Sequence, residues 1–385
     1  MRYFLVVGEA SADLHASNLI RAIRALDPEA SFMFMGGSLM QEASGVAPIV
    51  HYREVAFMGI LPVLTHLSTI RHAAERVREA IRSFAPAVVI PVDFAGFNMR
   101  YILPYVAEEI GCPIVYYIAP KLWAWKRWRI HKLRRYTHLM LCILPFEEAF
   151  FGRYGLRAQY VGNPCVDAVR AHVLDQEVAQ AHSHHTSRPC IAILAGSRRQ
   201  ELRSNLEVML TSTKALSSDY NIVIAGAPGL CADDYAPYLQ HYPWAQLTFD
   251  ATYSIVQRSC AALVTSGTAT LEVALLGTPL IVCYRMGGQR IARWVFEHCF
   301  STPYISLVNL ILGRAAIPEL IGAEVNAPRL SRELAKILVD GPTRQGQLKA
   351  MQELRLLLGD QYSSRAAAEA IFQELSATAS FASHR

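Results

Sequence analysis

The chain has 385 residues, 52% of them hydrophobic and 18% charged, so it is long enough for two domains and unlike a disordered protein. Its 37 basic and 32 acidic residues give a net charge of +5, which permits an anionic substrate or a membrane surface but is too small to indicate nucleic acid by itself. Eight cysteines are scattered singly, with no C-x-x-C pair and no Cys/His spacing suited to zinc, which favours a reducing compartment.

The N-terminal stretch MRYFLVVGEA predicts a short strand and a glycine turn, not a signal peptide. No run reaches the roughly 18 apolar residues that a membrane span requires. We therefore expect a protein of the cytosolic side.

Apolar runs of strand length alternate with helical patterns through the first half of the chain. Runs such as YFLVV, AVVIPV and PIVYYI are continuously apolar, which is typical of strands that helices cover on both faces. The predicted strands lie at 2–7, 31–35, 87–92, 113–118, 138–143 and 158–161, and predicted helices include 14–26 and 68–84.

The polar stretch 170–189 is a predicted linker, after which the same alternation begins again. Predicted strands of the second half lie at 190–194, 221–225, 261–264 and 279–284, followed by helices at 331–339, 345–358 and 363–375. The pattern predicts an α/β protein of two Rossmann-like doubly wound domains facing a cleft, with ligands beyond the carboxyl ends of the strands. We expect domains at 1–168 and 186–355, the first completed by the C-terminal helix 360–380.

Two loops of the first domain carry polar side chains. The turn GEASADLHASNLI, residues 8–20, is not G-x-G-x-x-G, and Ser11 and Asp13 either cap the following helix or contact a substrate. The run PAVVIPVDFAGFN, residues 86–98, ends a buried strand in Asp93, which either caps the next helix or acts as a general base.

Two further stretches have both a structural and a lipid-binding interpretation. The apolar run 54–70 is followed by arginines, and it forms either core or a patch on an anionic bilayer. The stretch KLWAWKRWRIHKLRRY, residues 121–136, interleaves three tryptophans with eight basic residues. It suits stacking of bases, contact with lipid headgroups, or an amphipathic helix with a solvated basic face.

The second half contains two candidate anion sites. In IAILAGSRRQEL, residues 191–202, a buried strand leads through small residues to Arg198, which is suited to bind phosphate oxygens, while Arg199 and Glu201 are expected on a solvated helix face. In VTSGTATLEV, residues 264–273, Ser266, Gly267 and Thr268 open a helix and fit a diphosphate. Glu272 has the wrong spacing for a capping box and fits the hydroxyls of a ribose.

No metal site is expected. The HSHH run at 182–185 lies in a polar stretch without a nearby carboxylate or thiol, so we interpret it as a solvated loop. No D-x-D triplet occurs, which argues against a metal-bridged diphosphate.

Taken together, these motifs resemble the lipid-A-disaccharide synthase family of inverting GT-B glycosyltransferases. The resemblance spans nearly the whole chain through GEASAD (8–13), MGG (35–37), FMGI (57–60), VDFAGFN (92–98), YYIAPKLWAWK (116–126), LPFE (144–147), VGNP (161–164), LAGSRRQE (194–201), TSGTATLE (265–272), YRM (284–286) and YISLVNLI (304–311). The chain departs from the family at Ala12, where glycine is common, and at Gly96, where a second acid is common. A role for that second acid therefore has no counterpart here.

The resemblance implies transfer of 2,3-diacylglucosamine from UDP to the 6-hydroxyl of 2,3-diacylglucosamine 1-phosphate, without a cofactor or nucleic acid. It makes Asp93 the base and assigns the UDP donor to Arg198, Ser266, Gly267, Thr268, Glu272, Arg285 and Asn309. We expect acceptor contacts at Glu9, Ser11 and Asn98, and inner-membrane contacts on the cytosolic face at Phe57, Met58, Leu61 and Leu64. A homodimer is left open.

Two alternatives belong to other classes. A UDP-N-acetylglucosamine epimerase on the same architecture would keep the UDP site and need no lipid patch. A non-enzymatic lipid-binding protein would explain 54–82 and 121–136 but leave both phosphate loops unused.

Overall fold

The chain folds into two compact units, Met1–Pro164 with Asp360–Arg385 (unit 1) and Cys165–Gly359 (unit 2). The computed structural model describes residues 1–55, 67–179, 188–249, 251–285 and 302–382. Among these residues, no helix combines the length and the apolar character needed to cross a bilayer.

Unit 1 is built on a parallel sheet of seven strands in the order β3-β2-β1-β4-β5-β6-β7. The strands β1 to β7 are Arg2–Val7, Ser31–Gly36, Val50–His51, Val88–Val92, Val115–Tyr117, Leu139–Cys142 and Ala158–Tyr160. Alternate residues of β1 enter two different cores, Leu5 on one face and Phe4 on the other, so helices cover both faces as the continuous apolar runs predicted. The short edge strand β3 was not predicted.

The helices of unit 1 close both faces of this sheet. They are α1 (Ala10–Leu26), α2 (Ser38–Ser44), α3 (Leu67–Phe84), α4 (residues 95–110, alternating α and π turns), α5 (Ile130–Tyr136), α6 (Pro145–Gly152) and the C-terminal α15 (Ser363–Ala382), with 3₁₀ turns at Tyr52–Glu54 and Arg127–Arg129. Helix α15 returns to the core of this unit, where Ile371 is fully buried and Phe372 lies 6.4 Å from the Tyr3 ring. Glu374 forms an ion pair with Arg157 at 3.0 Å.

Unit 2 is built on a parallel sheet of six strands in the order β10-β9-β8-β11-β12-β13. Strands β8 to β13 are Cys190–Leu194, Asn221–Ala225, Ala245–Thr248, Ser259–Thr265, Leu280–Tyr284 and Glu319–Ile321. Both edge strands, β10 and β13, were missed by the sequence prediction. In β10 only Ala245 is buried, so the strand has no apolar run to mark it.

The helices of unit 2 are α7 (Pro164–Ala179), α8 (Arg199–Thr213), α9 (Ala232–Leu239), α10 (Thr252–Arg258), α11 (Thr268–Leu275), α12 (Leu307–Leu312), α13 (Ala327–Leu338) and α14 (Pro342–Leu358), with 3₁₀ turns at Lys214–Leu216 and Gly322–Glu324. The prediction of a linker at 170–189 is wrong for its first half, because residues 170–179 belong to helix α7. Among residues 164–174 of this helix only Val169 is buried, so this part has much solvated surface.

In each sheet the order in which the chain adds strands reverses at one point. The chain steps outward from β1 through β2 to β3 and then returns to place β4 on the other side of β1. In unit 2 the same reversal lies between β8 and β11. Ligands of doubly wound sheets bind outside the carboxyl ends of the strands at such a switch point. The loops after β1, β4, β8 and β11 are therefore where function is sought.

Candidate active site

The loops after β1 and β4 meet at the switch point of unit 1. A Cβ placed on Gly8 would lie 2.1 Å from the Phe94 ring, so only glycine allows this approach. Asp93 and Phe94 both have left-handed backbones, with φ of 46° and 48°. Residues other than glycine rarely adopt this region, and clusters of such strain occur at functional sites.

Hydrogen bonds fix the backbone of Asp93 from two sides. Its N–H donates to the Tyr117 carbonyl at 3.1 Å, and its own carbonyl accepts from the Tyr116 hydroxyl and from Asn98 Nδ2 at 2.9 Å. Asn98 is fully buried. Asn98 therefore supports the Asp93 backbone, and the acceptor contact that we expect for Asn98 stays a prediction.

The Asp93 carboxyl is half-buried, and its surroundings favour the protonated form. Burial, followed by the nearby Glu9 carboxylate, raises the pKa of Asp93, while Lys121 and the Phe94 N–H act in the opposite direction. Helix α4 begins after Phe94 without a side-chain cap, so the alternative that Asp93 caps this helix finds no support. A carboxyl with a raised pKa at a switch point is suited to take a proton near neutral pH.

The polar side chains of the turn after β1 make two different kinds of contact. Ser11 Oγ is exposed and donates to Glu9 Oε1 at 2.8 Å, so these two predicted acceptor residues lie together. Asp13 is 3% exposed and accepts from the backbone N–H groups of Gly37, at 2.8 Å, and Leu39, at 3.1 Å. Neither interpretation of Asp13 was right, because it binds the start of α2 instead of capping α1 or facing a substrate.

The loop after β8 is tied by a carboxylate from α8. Gly196 has φ of +114°, and a Cβ there would lie 2.5 Å from Glu201 Cβ. Glu201 accepts from the Ser197 N–H at 2.9 Å and lies 3.6 Å from the Arg198 guanidinium. The prediction of a solvated Glu201 is therefore wrong: it shapes the loop and orients Arg198, which remains 59% exposed. Arg199 is exposed and pairs with Asp234 at 2.8 Å.

The loop after β11, next to β8 in the sheet, presents an open helix start. Gly267 and Thr268 are exposed, and a Cβ on Gly267 would meet no atom within 4 Å. Ser266 donates through Oγ to the Ile305 carbonyl at 3.2 Å. Backbone N–H groups at the start of α11 are thus accessible, as anion binding at a helix N-terminus requires.

Glu272 lies one turn into α11, half-buried, and accepts a hydrogen bond from the Tyr253 hydroxyl at 3.0 Å. Burial raises the pKa of Glu272, while the Tyr253 hydrogen bond lowers it. The His172 ring lies edge-on to Tyr253, 5.3 Å away. Tyr253 escaped sequence analysis, because no motif surrounds it.

Arg285 follows β12 directly and is half-buried. Asn309 lies deeper, at 1% exposure, and all four of its amide hydrogen-bonding positions are used within unit 2. Its Oδ1 accepts from two backbone N–H groups and its Nδ2 donates to the Ile317 carbonyl and to Glu319, all at 2.8–2.9 Å. Glu319 also accepts from the N–H groups of Ile305 and Ser306, so the two side chains hold the loop that contacts Ser266.

The tryptophan stretch separates into a buried and an exposed part. Trp123 is buried and donates to Glu147 at 2.9 Å. Trp125 and Trp128 are 46% and 70% exposed, each with a neighbouring cation over its ring. The predicted membrane contacts Phe57, Met58, Leu61 and Leu64, and the HSHH run, lie outside the described residues. Within the described part of the chain, no three His, Cys, Asp or Glu side chains group as metal ligands.

Two doubly wound parallel-sheet units, each with polar loops at its switch point, define the GT-B class of glycosyltransferases and UDP-sugar epimerases. The profile of the lipid-A-disaccharide synthetase family matches residues 3–374. The chain therefore belongs to that family, and the GT-B fold and the family predicted from the sequence motifs are confirmed.

Curated relatives are similar over most of their length. The lipid-A-disaccharide synthase of Myxococcus xanthus is 34% identical over 378 residues, 97% of each chain. That of Geobacter sulfurreducens is 34% identical over 343 residues, 88% of each chain.

Solved structures show the fold at much lower identity. The UDP-GlcNAc 2-epimerase from Neisseria meningitidis bound to UDP-GlcNAc is similar with a TM-score of 0.65 at 11% identity, covering 97% of this chain and 99% of that one. A calicheamicin glycosyltransferase has a TM-score of 0.60 at 13% identity, covering 97% and 98%.

Proposed function

We propose that this chain joins UDP-2,3-diacylglucosamine to 2,3-diacylglucosamine 1-phosphate, giving the β-1,6-linked lipid A disaccharide 1-phosphate and UDP. The observation that carries the proposal is family membership over residues 3–374. The carboxyl of Asp93, carried on a strained backbone, and the open helix start at Gly267 add the chemistry that such a transfer needs.

Asp93 is the proposed base. The acceptor 6-hydroxyl attacks the anomeric carbon of the donor as the bond to UDP breaks, and its proton passes to the Asp93 carboxylate. UDP leaves with the bonding electron pair, so a single displacement inverts the anomeric centre. The raised pKa of Asp93 strengthens it as a proton acceptor, and Asn98 and Tyr116 hold its backbone for this task.

Unit 2 is the proposed UDP site. The N–H groups at Gly267 and Thr268 and the Arg198 guanidinium would bind the diphosphate, and Glu272 would accept from the ribose hydroxyls. Arg285 would add a second cation at the end of β12. We assign Asn309 a positioning role, since its amide holds the loop against Ser266 instead of facing a ligand.

Acylated substrates require contact with a membrane, and we propose that unit 1 makes it on the cytosolic face of the inner membrane. The exposed Trp125 and Trp128, with Lys126 and Arg129 beside them, form a lipid-facing surface, which we name the tryptophan patch. Amphipathic aromatic rings settle at the headgroup level, and cations attract anionic lipids.

One assay tests the proposal. The purified chain is incubated with UDP-2,3-diacylglucosamine and 2,3-diacylglucosamine 1-phosphate in detergent, and the disaccharide 1-phosphate and UDP are measured by mass spectrometry. Formation of both in equal amounts supports the transfer. Conversion of UDP-N-acetylglucosamine to its 2-epimer, without disaccharide, would favour the epimerase alternative.

A further inference from the structure

Lys121 has an unusual place in the loop that follows β5. The residues on either side, Pro120 and the run 122–124, are buried, whereas Lys121 is exposed. Strand β5 is hydrogen-bonded to β4, with Tyr117 opposite Val92, the residue before Asp93. The loop therefore carries the exposed Lys121 close to the strand end next to the proposed base.

Buried contacts hold this loop in place. Trp123 donates to Glu147 Oε1 at 2.9 Å, and Oε2 of Glu147 accepts from the Leu144 N–H at 3.1 Å. Glu147 is 1% exposed, and its burial raises the pKa to about 7. The Ala124 N–H closes the turn on the Lys121 carbonyl at 3.1 Å. A loop anchored in this way restricts the space that the Lys121 side chain can reach.

The ammonium of Lys121 balances an acidic site. Its charge acts on Asp93, where it opposes Glu9, and on Glu147. In the described part of the chain, no carboxylate lies within 4.0 Å of it, so its charge is not neutralised by an ion pair. An anionic substrate approaching two carboxyls needs such a cation, because repulsion would otherwise oppose binding.

We propose that Lys121 binds the phosphate of the acceptor sugar and thereby sets the acceptor hydroxyl against Asp93. The inference rests on the proposed function and assigns its acceptor specificity. The lysine ammonium is a compact point charge that binds phosphate. Lys121 would therefore favour acceptors that carry a phosphate, although it does not itself contact the reacting atoms.

The test compares two acceptors, 2,3-diacylglucosamine 1-phosphate and the phosphate-free 2,3-diacylglucosamine, in detergent micelles. For Lys121→Met we expect the acceptor KM to rise roughly tenfold to a hundredfold with the phosphorylated sugar, the range of a charged hydrogen bond. With the phosphate-free sugar, variant and wild type should have equal kcat/KM when both are measured on the alkaline plateau of the pH profile, where Asp93 is ionised with or without Lys121. Lys121→Arg should recover most of the loss, and Lys132→Met, an exposed lysine of α5, should behave as wild type.

The outcomes separate this inference from the proposed function. Wild-type protein that forms no disaccharide removes the proposed function itself. Active wild type with an unchanged acceptor KM in Lys121→Met overturns the inference alone, and so does an equal loss with both acceptors. A shifted pH profile with an unchanged acceptor KM would also overturn the inference, because Lys121 would then act only on the pKa of Asp93. Calorimetric UDP affinity and circular dichroism equal to wild type would show that the variant is folded.

Discussion

The Tyr253 hydroxyl donates to Glu272 Oε1 over 3.0 Å, joining helix α10 to the acid expected at the ribose. Glu272 is half-buried, and burial raises its pKa, so an aligned donor is needed to keep it ionised. We therefore propose Tyr253 as a positioning residue for Glu272 in the proposed donor site.

We expect Glu272→Ala to weaken UDP binding at least about tenfold, because a hydrogen bond to a charged group contributes roughly 1.5–3 kcal/mol. Tyr253→Phe leaves the Glu272 carboxylate in place and removes its hydrogen-bond donor, so UDP affinity should fall by roughly two- to tenfold. UDP affinity should also fall as pH drops through the raised pKa of Glu272. Titration calorimetry measures both variants, with Tyr238→Phe on α9 as the control. Unchanged affinity in folded Glu272→Ala would remove the acid from the site.

Gly8 tests whether the close approach to Phe94 positions Asp93. In Gly8→Ala the new methyl group would overlap the Phe94 ring, so the ring and the neighbouring Asp93 must move. We expect the free energy of unfolding to fall by about 1–3 kcal/mol, the usual cost of overpacking, with a loss of turnover.

The matched control is Gly96→Ala, where the added Cβ meets no atom within 4 Å. Gly96 is exposed in the first turn of α4, where alanine favours the helix, so this variant should keep wild-type turnover and melt at or slightly above the wild-type temperature. Equal behaviour of the two variants would show that the Gly8–Phe94 contact is unimportant.

If the tryptophan patch contacts lipid, membrane binding should require the Trp125 and Trp128 rings and should weaken as the salt concentration rises. Trp125→Ser combined with Trp128→Ser should reduce binding to vesicles containing phosphatidylglycerol at least about tenfold, since two large apolar surfaces are lost. Raised salt should weaken the wild type further through screening. Leu356→Ser, at an 83% exposed residue of unit 2, is the control in a cosedimentation assay. If the double variant binds as the wild type does, the patch faces solvent.

The apolar run 54–70 gives a separate membrane prediction. Changing Phe57, Leu61 and Leu64 together to Ser should release the protein from vesicles while circular dichroism and thermal melting stay unchanged. Loss of the folded signal would instead assign these side chains to the core.

Features that depend on neighbouring residues could be predicted from the sequence, and those that depend on distant partners could not. Strands buried on both faces, such as β1 and β4, leave continuous apolar runs and were located to within a residue or two. The edge strands β3, β10 and β13 leave no such run and were missed, since β10 alternates and β3 has only two residues, whereas the edge strand β7 was predicted. Local patterning therefore identifies the centre of each sheet better than its edges.

Site chemistry followed the same rule. Polar residues in the loops after central strands, including Asp93, Arg198 and Ser266, could be proposed from the sequence because ligands of such sheets bind at strand ends. The roles of Asp13 and Tyr253 depend on partners 24 and 19 residues away, which only the fold brings together. Glu201 was misjudged because helical spacing suggested a solvated face, and it did not reveal that the preceding loop folds back onto the carboxylate.

The proposed mechanism depends on Asp93 as the base. Asp93→Asn keeps the size of the side chain and suits the left-handed backbone, in which asparagine is tolerated, but it cannot take a proton. Turnover at saturating substrate should fall by roughly 10²–10⁴, while UDP affinity by calorimetry stays constant. In the wild type, activity should be lost as pH falls through the raised pKa of Asp93, because the base must be ionised. Glu9→Gln removes a negative neighbour that raises this pKa, so the acid limb of kcat/KM should move to lower pH. An acid limb that stays in place in Glu9→Gln, or near-normal turnover in Asp93→Asn, would assign the proton transfer to another group.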